Sequence, residues 1–470
     1  MPDMAESRNE LCRCGSGRKF KKCCGAPAAR RAPSAPQGAT PQPIPYEPDL
    51  GVERFGDANS SDPFEAHVSQ LIRRGNLAMA LLHVRDRLAR SAQDAKALNM
   101  LGWIASAAGL WAHAARHFSS AIAANPRWSA PQRNLERIAH RLHALPTPAS
   151  AGERFLLIKA WGFGFWSDVS HVLGQLLVAR VTMRTPVVHW GTNSLFHDAT
   201  SENAWTEFFE PLSRTHPSEL AANAIDIWPP KWSRESLLAP ECQKNRGPYS
   251  RVAGIWTLAR PERVLVSDFF ASLLELTPWI PSEHPLYGLS VHAIARELVR
   301  DHLRPTKAVA TAVSAFCARH LPSTGYLAVH ARGSDKVLET RQLDSINRDC
   351  FARIDGALAA HHDWPLFLMT DDERILAEYR VRYGDRIVTT ACTRTRTDQG
   401  IHYQSTTSRA QLGREVLVDA LVAARADAFF GNGFSNASVM VGYLRDWPEG
   451  ACTLLGSHLF ETPNPVLHAW

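Results

Sequence analysis

Between Tyr326 and Arg445 short apolar runs alternate with longer helical stretches, and each run breaks off into polar residues. The strand candidates are Tyr326–His330, Pro365–Met369, Arg386–Thr389 and Asp427–Phe430. Helical spacing covers 347–361, 373–383, Gln411–Ala424 and Ala437–Arg445. Strands separated by helices predict a parallel sheet with crossover helices on its faces. In an open sheet of this kind ligands sit beyond the carboxyl ends of the strands. The residues just past each run therefore matter most. After the first come His330, Arg332, Asp335 and Lys336 around Gly333 and Ser334; after the second, Thr370, Asp371 and Asp372; after the last, the loop Gly431–Asn436. Guanidinium and ammonium groups gathered there suit an anion. Ser435 and Asn436 open the final helix, where free amides can cradle a phosphate. The plainer alternatives are an ordinary helix cap at Ser435 or Asn436 and a surface ion pair in the first loop.

The preceding stretch repeats the theme more faintly. Phe155–Lys159 reads as a strand, followed by the glycine loop Trp161–Asp168 with Gly162 and Gly164, a helix through His171–Arg180 and a strand Pro186–Trp190. The two glycines would bring backbone amides close to a ligand, but without a third glycine they do not make a dinucleotide site. Residues 191–325 are loop-rich, with helices expected at 262–276, 288–303 and 307–320. Two α/β domains result, 153–325 and 326–470.

Ahead of them, 64–145 has helical periodicity. Leu98, Leu101, Gly102, Ala114, Phe118, Ala121 and Pro126 are spaced like one tetratricopeptide repeat, with a degenerate repeat at 61–94 and a capping helix at 132–144. Such arrays bind peptides or copies of themselves, or act as spacers. Residues 26–63, rich in Pro and Ala, form a linker. Within 1–25, Cys12, Cys14, Cys23 and Cys24 surround a Gly-Ser-Gly turn, a spacing suited to tetrahedral zinc and ill suited to disulfides in a reducing compartment. The string CRCGSGRKFKKCCG resembles the SEC-C zinc motif, which implies a protein-docking module with Arg18, Lys19, Lys21 and Lys22 as its contact face.

The formal charge of +6 argues less for nucleic acid than it suggests, because residues 1–31 hold eight Lys and Arg against three acids. The rest sums to near neutrality. No apolar run approaches the roughly 20 residues of a membrane span, and the first residues do not read as a signal peptide, so the expected compartment is the cytoplasm. Fourteen Trp fit a large core, or the packing of sugars.

From 153 to about 460 the chain resembles glycosyltransferases of the fucosyltransferase superfamily. The residues that carry the likeness are GFGFWSDVSHVLG, HARGSDK, FLMTDD and VLVDALVAARADAFFGNGFSN. The resemblance implies a GT-B-like pair of Rossmann-like domains across a cleft and metal-independent, inverting transfer from a nucleoside-diphosphate sugar, GDP-fucose among the donors, to a glycan or protein acceptor. It places His330 and Arg332 on the diphosphate, Asp371 with the donor, Asp419 at the nucleoside end and Ser435, with Asn436, on phosphate. Glu339 is the candidate base, Asp335 the second choice, and Lys336 a proton relay or phosphate contact. Two positions depart from the family pattern: Gly333 stands where core-type enzymes carry a second arginine, and Thr340 where their catalytic glutamate lies. A zinc-and-repeat adaptor whose transferase-like domain only binds is the competing reading.

Overall fold

The computed structural model describes residues 61–143, 153–240, 254–267, 270–333, 343–397, 400–401 and 408–456, all within the unit Pro45–Trp470. It begins with five helices: α1 (Pro63–Arg73), α2 (Leu77–Arg90), α3 (Ala95–Ala107), α4 (Trp111–Ala124) and α5 (Ser129–His143). Their starts are encoded locally. The Asp62 carboxylate accepts the Phe64 amide at 2.9 Å ahead of Pro63, and Asp94 accepts the Ala97 amide at 2.9 Å, each satisfying a donor that has no partner inside its helix. Gly102 sets the closest packing, since a Cβ there would lie 2.3 Å from the Phe118 ring. A buried amide pair, Asn134 to Asn99 at 3.0 Å, ties α5 to α3.

The helical array is fastened to the α/β part of the chain. Trp256 Nε1 donates to the Ala107 carbonyl at 3.0 Å, and its ring packs over Gly109, whose φ of +72° already excludes most side chains. One buried apolar cluster runs from the helices into both α/β layers.

The first sheet holds β1 (Phe155–Lys159), β2 (Thr185–His189), β3 (Ile227–Trp228) and β4 (Val264–Val266), all parallel, in the order β2-β1-β4-β3. Helix α6 (Phe165–Val181) connects β1 to β2, and the short α7 (Pro217–Asn223) precedes β3. The helix expected over 262–276 is not formed. Val264-Leu265-Val266 is instead a buried strand between β1 and β3, and only α8 (Leu273–Leu276) is helical. A β-branched run with partners on both edges gains more as a ladder than as a helical turn. Helices α9 (Val291–His302) and α10 (Lys307–His320) form as expected.

The second sheet contains β5 (Leu327–His330), β6 (Leu366–Met369), β7 (Ile387–Val388), β8 (Ala428–Asn432) and β9 (Cys452–Leu455), again all parallel, ordered β7-β6-β5-β8-β9. Its helices are α11 (Leu343–Ala360), α12 (Glu373–Tyr383), α13 (Arg409–Ala423) and α14 (Asn436–Tyr443). β5 and β6 are buried along their whole length, as continuous apolar strands of a doubly covered sheet should be. The strand order reverses between β5 and β8, and their carboxyl ends open a crevice at that switch point. Among the described residues no helix is long and apolar enough to cross a membrane.

Candidate functional site

A cavity of about 440 Å³ lies where the two sheets' carboxyl ends meet. From the first sheet it takes the β1–α6 turn, Phe163–Ser167, and Phe196. From the second it takes His330 and Arg332 past β5, Met369–Asp371 past β6, Cys392 and Thr393 past β7, and Ser435–Ala437 at the start of α14. Leu412, Glu415, Val416 and Asp419 of α13 form a side wall. The size is ordinary for a small-molecule site, roughly 300–1,000 Å³.

Of the residues singled out in the sequence, His330, Arg332, Asp371, Asp419, Ser435, Asn436 and Gly164 share this cavity. Gly162 does not. Its amide donates to Asp168 Oδ2, and the Phe163 amide to Oδ1, each at 3.1 Å, so the carboxylate of α6 takes up the donors that the glycine loop was expected to offer a ligand. Asp335, Lys336 and Glu339 fall outside the described residues, as do Cys12, Cys14, Cys23 and Cys24. Among the described residues no group of three or more His, Cys, Asp or Glu is placed to hold a metal.

One end of the cavity is built at the β5 and β8 tips. Arg332 Nη1 donates to Asp371 Oδ2, both side chains mostly buried, which orients the guanidinium. His330 Nδ1 lies 2.6 Å from Ser438 Oγ, which also accepts the Asn432 amide at 2.9 Å. With one lone pair on that amide, the hydroxyl still offers its proton and a second lone pair, so it can pair with Nδ1 in either imidazole tautomer. Burial holds the imidazole down to about 4, helped by the Arg332 charge and opposed by Asp371, so His330 is neutral at pH 7. Ser435 occupies the N-cap position of α14, but its side chain makes no capping bond. That hydroxyl stays available at the cavity, beside first-turn amides that have no acceptor in their own helix. Asn436 Oδ1 is buried there without a partner.

Asp419 marks the other end. It is 6 % exposed, accepts from the Thr390 hydroxyl, and is pushed up to about 6 by burial, which outweighs Thr390, the Arg394 charge and Cys392. Arg394 fixes the loops around it through the carbonyls of Thr370 at 3.2 Å, Cys392 at 3.2 Å and Thr390 at 3.1 Å. Glu415 accepts the Thr393 amide at 2.9 Å. Sequence reasoning did not single out Glu415, although Leu412, Glu415, Val416 and Asp419 follow the i, i+3, i+4, i+7 spacing of one helix face. Thr390, Cys392 and Arg394 gave no such signal, because they lie in irregular chain after a two-residue strand.

Gly333 packs against β6's exit. A Cβ there would come within 2.7 Å of Asp372 Oδ2 and 2.8 Å of Ile375 Cδ1.

Residues 8–26 match the SEC-C motif model. No curated protein matches the chain. Solved structures with a similar course include the NodZ α-1,6-fucosyltransferase co-crystallised with GDP, at 19 % identity over 63 % of this chain and 92 % of that one, TM-score 0.42. The fucosyltransferase NodZ from Bradyrhizobium is similar at 17 % identity over 63 % and 92 %, TM-score 0.39. POFUT1 in complex with GDP is similar at 16 % identity over 67 % and 100 %, TM-score 0.38. Likeness of this degree assigns this chain no activity, donor or acceptor.

Proposed function

We propose that the chain is a glycosyltransferase that moves a sugar from a nucleoside diphosphate to an acceptor held from the first sheet's side. The observation that carries this reading is one cavity containing Arg332, neutral His330, the uncapped Ser435 hydroxyl and the α14 amides at one end, with the buried Asp419 at the other. The first set suits a diphosphate; the second suits the hydrogen-bonding edge of a nucleoside. Breaking the C1–O bond loads negative charge onto the departing diphosphate, and donors fixed before the reaction stabilise it. A carboxylate beside the acceptor hydroxyl would take its proton. Glu339 is the proposed base, with Asp335 as second choice and Lys336 as a relay or phosphate contact. GDP-fucose is the proposed donor, as the fucosyltransferase resemblance of the sequence implies. The four cysteines are proposed to bind zinc, and helices α1–α5 to act as tetratricopeptide-like repeats that recruit a glycan or protein acceptor.

A thermal-shift and calorimetric screen across nucleoside diphosphates and their sugars tests the reading. Stabilisation by GDP or another diphosphate, weakened in Arg332→Ala, is expected; a wild-type chain that responds to none would overturn it. A second reading, a binding module without turnover, draws support from Gly333, which stands where the core-type enzymes of the resembling family carry a second arginine. Binding of donor with no release of diphosphate in the presence of acceptors would favour it.

A further inference from the structure

The loop after β2 reaches across to α13. Asp198 on that loop accepts the backbone amides of Arg409 at 2.8 Å and Ala410 at 3.1 Å, together with the Ser408 hydroxyl. These three residues are the N-cap and first two positions of α13. Ser408 Oγ in turn accepts the Gln411 amide at 3.2 Å. The helix thus has a cap from its own chain and a second, anionic one supplied by the opposite sheet's layer. A carboxylate at this place is favoured by the helix dipole. Partial burial works against the charge, but the Ser408 hydroxyl, the two amides and the nearby Arg414 hold the Asp198 carboxyl below the ordinary range, so it is ionised at pH 7.

Two further contacts run along the same side of α13. Glu207 accepts from Arg414 Nη1 at 2.9 Å, and Gly413 faces Phe208 so closely that a Cβ would lie 2.5 Å from the ring. Residues 409, 410, 413 and 414 therefore meet the first sheet's layer, while Leu412, Glu415, Val416 and Asp419 of the same helix line the cavity. Whatever moves the first turn of α13 moves that wall.

We propose that Asp198 is a positioning residue: by capping α13 across the cleft it sets the separation of the two sheets' layers at which Glu415 and Asp419 face the β1–α6 turn. It does not line the cavity and acts through the helix. Only the ligand-binding arm of the test rests on the glycosyltransferase reading.

The test uses the full chain with spin labels on non-canonical residues at positions 183 and 381. Both are highly exposed, at 85 % and 90 %, and they lie on opposite layers. In Asp198→Ala the distance distribution is expected to broaden or lengthen, and the affinity for GDP to fall about 3- to 30-fold, the span of a lost helix cap. Asp198→Asn, which keeps one acceptor oxygen, should lie between. A lower melting temperature with unchanged distances and unchanged GDP affinity would mean an ordinary structural contact and would overturn the proposal. If wild-type GDP binding is absent but the distances still shift, the clamp stands and the nucleotide reading falls. Should Asp198→Ala not fold, Asp198→Asn carries the test, and distances and GDP affinity there equal to those of wild type overturn the proposal too.

Discussion

His330 and Ser438, contributed by the end of β5 and the first turn of α14, meet at 2.6 Å across the point where the second sheet's strand order reverses. The serine hydroxyl serves both the imidazole and the buried Asn432 amide. Removing it leaves a buried amide and a buried imidazole nitrogen without that hydroxyl, a loss of about 1–3 kcal/mol. Ser438→Ala is expected to lower the melting temperature and weaken nucleoside-diphosphate binding several-fold. Calorimetric titration and a thermal melt check both.

Acid should act on Asp419 and His330 in opposite senses. The Asp419 carboxyl rises on folding from 3.8 to about 6, so its contribution is fully present below pH about 4 and is lost as pH climbs through about 6. His330 falls from 6.5 to about 4, so its contribution is present above pH about 6.5 and disappears as pH drops through about 4. Half-buried His117 and buried His189, also near 4, and buried His171, near 3, side with His330. The chain as a whole should therefore weaken below pH 6. Asp419→Asn isolates the minority effect: relative to wild type it should gain roughly 1–3 kcal/mol at pH 7.5, with the gain shrinking toward pH 4.5. Urea melts at the two pH values measure it, and a pH-independent difference would contradict the assignment.

Arg332 is paired with Asp371, so an incoming phosphate must share or displace that partner. Arg332→Ala should reduce diphosphate affinity and turnover by about tenfold or more. Asp371→Asn should instead raise diphosphate affinity, roughly two- to fivefold, the scale of one partly exposed ion pair. Weaker binding in Asp371→Asn would show that the carboxylate contacts the donor directly.

The helical array is expected to unfold with the first sheet's layer, because Trp256 bonds to Ala107 and packs on Gly109 and Trp111. Trp256→Ala should cost roughly 1–3 kcal/mol, less than the about 3–5 of a fully buried tryptophan. Scanning calorimetry of wild type should give a single transition over the described body. Separate melting of residues 61–143 would refute the shared core.

The second sheet was legible in the amino-acid order alone, since continuous apolar runs such as Leu327–His330 and Leu366–Met369 need no tertiary information to declare themselves buried strands. His330, Arg332, Asp371 and Ser435 stood out by their positions at strand tips, whereas Asp419 came only from the family resemblance. The first sheet was harder. Val264–Val266 is three residues long and Ile227–Trp228 only two, too short for a period to emerge, and β3 was not foreseen. The glycine loop misled for a different reason: the acceptor for the Gly162 amide, Asp168, sits six residues on, and nothing in the spacing distinguishes an internal carboxylate from an external phosphate. Asp198 was invisible because its partners lie more than two hundred positions away.

The tight seat of Gly333 bears on how such a chain can change over generations. Asp372 and Ile375 lie within 2.8 Å of where a Cβ would sit, so any larger residue at 333 must first displace those two side chains. A longer residue at that position is therefore reached only together with a resettling of its two neighbours.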